Sequence, residues 1–229
     1  MSLAYVDNAI AMWSALEPSA RTTAGTFVVD RARINRRITR APAPVDALVA
    51  AAPRGVALVV EDVFGTAVTE PVTTLRMPVM TRPPGPIAPA APPGTRVVRV
   101  TGTTDLADAE RVIVDGFPQR AYLPWSAGEF LPPSVLGLPG WHVWLAFRHD
   151  VPAAAAYTYD DGHSIGVYSL ATLPGHRGAG LARSVLTAAL AAGAERASTL
   201  TATEAGVPLY ESLGYRTEAT TTWHLRSPH

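Results

Sequence analysis

Apolar residues recur along the chain at two spacings, and the switches between them predict its elements. Residues 3–17 carry Leu3, Val6, Ile10, Trp13 and Leu16 at helical spacing, which predicts an amphipathic helix. A strand is expected at 26–29. Residues 31–40 alternate around Ile34 and Ile38, so a second, exposed strand is expected there. Its arginines, Arg31, Arg33, Arg36, Arg37 and Arg40, would form a solvated face. A helix over 45–52 and a strand over 56–60 complete an αββαβ segment. Residues 81–94 hold six prolines and two glycines, a composition that predicts a semi-rigid linker and a domain boundary.

Beyond it the pattern predicts a strand at 96–100, then a helix capped near Thr103 or Thr104 with Leu106, Ala109, Val112 and Ile113 inward. Residues 117–140 are aromatic, Pro-rich and irregular, and include Tyr122, Trp125, Glu129 and Phe130. A loop of that length in a compact domain is usually functional or mobile. Three strands in meander follow at 141–148, 153–159 and 164–171, with turns at His149-Asp150 and Asp161-Gly162. Next come a helix with Leu181, Val185, Ala188, Ala189 and Ala192 inward and Gly193 as C-cap, a strand at 198–202, a helix ended by Gly214, and a strand at 215–225.

The turn between the third meander strand and the helix carries the first candidate chemistry. It holds Gly175, Gly178 and Gly180. Glycines let backbone approach a ligand closely, and the first turn of a helix offers unpaired N–H groups at the positive end of its dipole, a site for phosphate. A dinucleotide fingerprint fails, because from Gly178 the third glycine position is Arg183; a P-loop fails because the chain has no lysine.

Composition narrows the chemistry further. There is no cysteine, hence no disulfide, thiolate nucleophile or Cys-ligated zinc, and without lysine no Schiff base can form. Nineteen arginines balance nineteen acids, so neither a nucleic-acid nor a membrane surface is expected. The six histidines, His142, His149, His163, His176, His224 and His229, show no ligand spacing, and no metal is expected. No leader or membrane span is evident, which makes the cytoplasm the default location.

The glycine turn resembles motif A of the GCN5-related N-acetyltransferases (GNAT), Gln/Arg-x-x-Gly-x-Gly/Ala, often written Val-x-Pro-x-x-Arg-Gly-x-Gly. Pro174, Arg177, Gly178 and Gly180 match; Thr172 replaces the valine and Gly175 the usual Gln/Arg. Residues 203–215 resemble motif B of the same superfamily, Asn-x-x-Ala-x-x-Leu-Tyr-x-x-Leu-Gly-Phe/Tyr. Thr203 stands at the Asn position, where it could cap a helix, and Leu209, Tyr210, Leu213, Gly214 and Tyr215 follow in order.

That resemblance implies an α/β (α+β mixed sheet) architecture: a central mixed, mostly antiparallel sheet flanked by helices, ordered βα(α)βββ-αβαβ over about residues 95–226. The domains would be 1–94, a smaller αβ domain that looks like a degenerate copy of the fold, and 95–229. The implied activity is acetyl transfer from acetyl-CoA (coenzyme A) to a primary amine by direct attack in a ternary complex. The alternative is a non-catalytic acyl-CoA-binding or regulatory module.

On the same resemblance, the pantetheine arm would run along Leu170, Thr172 and Leu173, and the pyrophosphate would sit on Arg177, Gly178, Ala179, Gly180, Leu181, Ala182 and Arg183. Thr203 would also contact the cofactor. Tyr210 would place a phenol near the thioester sulfur as general acid. The segment between the first two helices, with Glu129, would wall the acceptor site. Glu129 and His163 are the candidate bases, because Gly166, Tyr168 and Leu170 occupy the strand positions where relatives carry one. The partners implied are acetyl-CoA and a small-molecule or peptide amine, in a monomer or homodimer.

Overall fold

The computed structural model describes residues 4–117 and 119–228; Leu3 and His229 lie outside them. The elements in order are α1 (Ala4–Leu16), β1 (Arg21–Thr23), β2 (Thr26–Asp30), β3 (Ile34–Thr39), α2 (Val45–Ala51), β4 (Ala57–Asp62), β5 (Thr73–Arg82), β6 (Thr95–Arg99) and α3 (Thr103–Gly116). They continue with β7 (Trp141–Arg148), β8 (Val151–Asp160), β9 (Ser164–Thr172), α4 (Leu181–Ala191), β10 (Ala197–Thr201), α5 (Val207–Glu211) and β11 (Arg216–Arg226). The expected class, mixed and mostly antiparallel strands flanked by helices, is what forms. Among the described residues no helix is long and apolar enough to cross a membrane.

Two compact units divide the chain: Arg82–Thr199 is one, and the described residues up to Thr81 together with those from Leu200 onward are the other. The units do not divide at residue 94, and β11 is the reason that the C-terminal residues fall in the first unit. It lies between β4 and β5, antiparallel to both, with Thr222 opposite Asp62 on one side and Arg76 on the other. The C-terminal strand is therefore an inner strand of the N-terminal residues' sheet. No local pattern announces a pairing across about 160 residues.

In that first unit the strands run β1-β2-β3-β4-β11-β5, and only β3–β4 is parallel. Two of them, β1 and β5, are absent from the sequence reading. The three residues of β1 are all exposed and too few to alternate, and the first four residues of β5 are exposed as well. Helix α2 buries Val45 and Val49 against Leu58 and Val60 of β4. The buried face of α1 is Tyr5, Val6, Asn8, Ala9, Met12 and Trp13, a turn away from the expected Ile10 and Leu16.

Arg40 is exposed as expected, but the rest of the arginine stripe is not a solvated face. The Arg36 guanidinium lies 5.3 Å from the Trp13 ring centre and 5.2 Å from that of Trp223, and it pairs with buried Glu61. Tyr5 donates to the second oxygen of Glu61 at 2.9 Å. Arg37 donates to Val29 O at 3.1 Å and pairs with Asp30 at 2.7 Å, and Arg31 pairs with Glu17 at 2.8 Å. Alternation alone reads such a strand as exposed because the tryptophans and acids that enclose it come from distant segments.

The second unit has strands ordered β10-β9-β8-β7-β6, parallel only at β10–β9, where Ala197–Thr199 face Ser164–Gly166. Helix α3 packs on one face of β7, β8 and β9. Helix α4 covers the other, setting Leu181, Val185 and Ala189 against Trp144, Ala146, Ala154 and Ala156. The proline-rich residues that read as a linker are held along α4. Gly85 N–H donates to Ala194 O at 2.8 Å, and Ala90 N–H donates to Thr187 Oγ1 at 3.2 Å. Among the described residues, 119–140 form two short 3₁₀ turns, Arg120–Tyr122 and Pro133–Gly137, in place of the implied second helix.

The Arg36 network yields a stability prediction. Glu61→Ala strands a guanidinium between two tryptophans and should cost about 3–5 kcal/mol, or roughly a 10 °C fall in thermal midpoint for a chain of this size. The double change Arg36→Met with Glu61→Leu should cost clearly less, because no charge is then left buried. Calorimetry that found the double variant at least as unstable as Glu61→Ala would contradict this reading.

Candidate functional site

The glycine turn keeps its backbone open. Gly178 (φ +76°) and Gly180 (φ +78°) are left-handed, a conformation that glycine adopts at little cost. A Cβ on Gly178 or Gly175 would meet nothing within 4 Å, whereas one on Gly180 would meet Pro92 at 3.2 Å. Gly180 is the N-cap of α4, with no side chain to offer, and the first intrahelical bond is Ser184 N–H to Gly180 O at 3.0 Å. The N–H groups of Leu181, Ala182 and Arg183 precede that bond and point out of the helix end. Together with Gly178 and Ala179 they frame an exposed backbone cradle at the positive end of the helix dipole.

The strand that leads into the cradle changes face before it arrives. Between the pairs Tyr157↔Tyr168 and Ala155↔Ala171 the register shifts, so Ser169 and Leu170 stand opposite the single residue Ala156. Ser169 is left-handed (φ +51°) at this β-bulge. Tyr168 stacks on Tyr157, toward α3, while Leu170 packs with Leu181 and Val185, toward α4. In an unbroken strand residues 168 and 170 would share a face, as the sequence reading assumed. A bulge also leaves one residue's backbone out of the ladder. Thr172 Oγ1, two residues on, is buried without a hydrogen-bond partner, and so is His176 Nδ1 in the turn.

The Arg177 side chain has a task besides the one expected of its backbone N–H. Its guanidinium donates to Thr172 O at 3.2 Å and to Gly116 O, at the end of α3, at 2.9 Å. Gly116 is pressed against the same strand end: a Cβ there would come within 3.2 Å of Thr172 O. The arginine side chain thus ties the turn to β9 and α3, and only its backbone remains in the cradle.

Sequence reading missed Glu110. It is fully buried on α3, and its carboxylate accepts from Gly128 N–H at 2.7 Å, Phe130 N–H at 2.6 Å and Leu131 N–H at 3.0 Å. An acid on the apolar side of a predicted helix, 20 residues ahead of a loop rich in N–H donors, was the only available signal. Glu110 fixes the loop that carries Glu129, and Phe130 from that loop meets the Tyr157 ring edge-on at 6.3 Å. Phe130 and Tyr168, which both meet the Tyr157 ring, therefore share one face of the unit, and Glu129 is the residue next to Phe130 in the loop. His163 does not join them. It sits in the β8–β9 turn, six residues before the bulge, about 20 Å away at ~3.3 Å per strand residue.

Thr203 and Tyr210 belong to the other unit. Thr203 makes no side-chain cap; its carbonyl accepts from Gly206 N–H at 2.8 Å in a 3₁₀ turn, Glu204–Gly206, that precedes α5. The expected capping bond is thus replaced by a backbone one. Gly214 (φ +88°) ends α5 as expected, with Tyr215 N–H reaching Tyr210 O at 3.1 Å. The Tyr210 ring lies edge-on to Tyr215 at 5.7 Å, and burial pushes its phenol up to about 12.

Residues 139–217 match the family model of the acetyltransferase (GNAT) domain. Among solved structures, a GCN5-related N-acetyltransferase from Kribbella flavida is 20% identical, with a TM-score of 0.67 over 100% of this chain and 97% of that one. A GNAT-family protein from Novosphingobium aromaticivorans is 19% identical, with a TM-score of 0.63 over 98% and 99%. At such identities the likeness is one of fold. No curated protein matches the chain.

The Tyr210 shift carries a testable sign. Its folded pKa, about 12, lies above the unfolded value near 10. The associated stability is complete below pH 10 and is lost as pH rises toward 12, by about 2–3 kcal/mol in all. Urea unfolding between pH 9 and 11.5 should show wild type losing more stability than Tyr210→Phe across that window. Parallel curves would mean that the phenol is not buried as described.

Proposed function

We propose, from the match of residues 139–217 to the acetyltransferase (GNAT) domain model, that the chain transfers acetyl from acetyl-CoA to a primary amine by direct attack in a ternary complex. The observation that carries the proposal is the open cradle at Gly178–Arg183, with free space at Gly178 and orphaned polar atoms at Thr172 and His176 beside it. These fit a pyrophosphate and the amide-bearing arm that leaves it. Acetyl-CoA supplies an acetyl group activated as a thioester.

Each residue then has a task. The N–H groups of Gly178, Ala179, Gly180, Leu181, Ala182 and Arg183 hold the pyrophosphate, and Arg177 keeps them in place through its bonds to Thr172 and Gly116. Leu170, Thr172 and Leu173 offer backbone groups to the arm, and the N–H released at the bulge polarises the acetyl carbonyl. Losing one such donor typically costs ~10²–10³ in rate. Glu129 takes the proton from the attacking amine, directly or through water. Tyr210 faces the sulfur, and Thr203 contributes a cofactor contact beside it. Transfer takes place in the cytoplasm.

One observation favours the non-catalytic acyl-CoA-binding alternative. Gly175 leaves the motif without its Gln/Arg, and Arg177 is already engaged elsewhere, so side-chain grip on the cofactor is reduced. Turnover separates the two readings. Because the chain has no cysteine, an aromatic disulfide reagent reads released CoA thiol without background from the protein. Binding of acetyl-CoA with no thiol release across an amine panel would establish the alternative.

Gly175 gives a test by gain. It is exposed, not left-handed, and open around its Cβ. Gly175→Arg should therefore tighten acetyl-CoA binding about 2- to 5-fold at low salt, as expected of an exposed charge pair, and lose the gain at high salt. Unchanged or weaker affinity by calorimetry would remove the cradle from the cofactor site. Gly178→Val tests less cleanly, since a β-branched residue at φ +76° strains the backbone as well.

Tyr210→Phe keeps the ring and its packing on Tyr215. It should lower kcat by roughly 10- to 10³-fold, with acetyl-CoA affinity and thermal midpoint at neutral pH nearly unchanged. Equal turnover in an assay limited by chemistry would exclude the phenol from the reaction.

A further inference from the structure

The proline-rich residues 83–94 run along α4 and end at the glycine turn. Arg82 holds their start, donating to Pro83 O, Gly85 O and Pro86 O at 3.2–3.3 Å. Gly85 is bonded to Ala194 beyond the C-terminal end of α4, and Ala90 to Thr187 within it. The Pro92 ring then stands 3.2 Å from where a Cβ on Gly180, the N-cap, would lie. The strap and the helix are therefore antiparallel. From Gly85 to Pro92 an extended chain covers about 22 Å at ~3.1 Å per residue. From Ala194 back to Gly180 the helix covers about 21 Å at ~1.5 Å per residue, so the two match end to end.

The strap is fixed on both sides of Pro92. Downstream, Pro92 O accepts from Thr95 N–H at 3.1 Å, closing a turn with Pro93 second and left-handed Gly94 (φ +72°) third, the type II pattern. Gly94 O accepts from His149 N–H at 2.8 Å, and the His149 ring fills the place that a Gly94 Cβ would need. Upstream, Thr187 Oγ1 accepts from Ala90 N–H and donates to Ser184 O, both at 3.2 Å. Ser184 Oγ donates to Gly180 O at 3.1 Å. Hydrogen bonds thus lead from the strap, through two buried residues of α4, to the N-cap. Residues 83–94 carry no charged side chain, so the strap brings no electrostatic grip on a phosphate. What it supplies is position.

The N–H groups of Leu181, Ala182 and Arg183 precede the first intrahelical bond, and helix ends of this kind fray. A ligand that uses them has to order them, and that cost is subtracted from its affinity unless the protein has met it beforehand. We infer that the proline strap braces the phosphate cradle, with Pro92 as the positioning residue against Gly180 and Thr187 as its anchor on α4, and so sets the affinity for acetyl-CoA. The inference rests on the acetyl-CoA reading of the cradle. Proline suits the place, because its fixed φ leaves the strap little freedom to lose.

The test pairs calorimetry of acetyl-CoA and CoA binding with thermal midpoints. Pro92→Gly should weaken both ligands roughly 5- to 30-fold, the equivalent of ordering about one residue's backbone. Hydrogen exchange at residues 181–184 should quicken in the same variant without ligand. Thr187→Val keeps the side-chain volume but removes the acceptor for Ala90 N–H, and should also weaken binding. Thr187→Ser keeps the acceptor, and should preserve affinity although the lost methyl lowers its midpoint. If Pro92→Gly does not fold, the Thr187 pair decides alone. Wild-type affinity in Pro92→Gly and Thr187→Val, or affinity that simply follows the midpoint across the variants, would overturn the brace and leave the cofactor reading in place. A wild-type protein that binds neither acetyl-CoA nor CoA would end the cofactor reading, and the inference with it.

Discussion

The second unit depends on β9 serving both of its helical layers within nine residues. A regular strand cannot place Tyr168 toward α3 and Leu170 toward α4, and the single extra residue at Ser169 makes that possible. Without the bulge, either the stack on Tyr157 would lose Tyr168 or the α4 core would lose Leu170. The left-handed φ at a non-glycine residue has a cost of order 1 kcal/mol. It persists because both layers are tightly packed around it. The backbone groups that the bulge releases lie between the acceptor face and the glycine turn, so one local defect serves both halves of the proposed site.

Two polar anchors, exposed Arg177 and buried Glu110, then fix what the bulge aims. Arg177 and the close approach at Gly116 hold the end of β9, the turn and the end of α3 together. Glu110 holds the acceptor-side loop through three N–H bonds, from the same helix. A carboxylate fully out of water is tolerable only when its oxygens are satisfied, and these are. Helix α3 therefore acts as a common reference for the turn and the loop, and strain in either is transmitted to it. The Arg36–Glu61 pair between Trp13 and Trp223 gives the first unit a comparable anchor.

Local signals were legible in the sequence and long-range ones were not. The meander and its turns, the glycine turn, α4 and the end of α5 at Gly214 follow from periodicity and turn chemistry, which act over a few residues. The seat of β11 between β4 and β5 depends on contacts across about 160 residues, and with it the place of the C-terminal residues in the first compact unit. Arg36 read as solvated because its enclosing tryptophans lie 23 positions before and 187 after it. The tie that the Arg177 side chain makes to Thr172 and Gly116 was not legible, because a motif records residue type but not where a guanidinium turns. The bulge was invisible because nothing in Tyr168-Ser169-Leu170 marks an extra residue; only the demands of the two layers reveal it.

The elevated Tyr210 phenol bears on how protons move in the proposed reaction. A thiol titrates near 8.5 and a primary ammonium near 10.4, whereas this phenol titrates at about 12. Full transfer from the phenol to the departing sulfur would be uphill by roughly 3.5 units, about 5 kcal/mol. The amine's own proton is the more acidic source. Under the proposed mechanism Tyr210 would stabilise the developing charge on sulfur by donating a hydrogen bond and keep its proton, while the proton from nitrogen would pass to Glu129 or water. Such a route asks little of the base. That suits a face whose candidate base, Glu129, lies in a loop and whose strand positions offer a glycine, a tyrosine and a leucine. It also makes burial of Tyr210 useful: a desolvated hydrogen-bond donor interacts more strongly with a developing anion than one facing water.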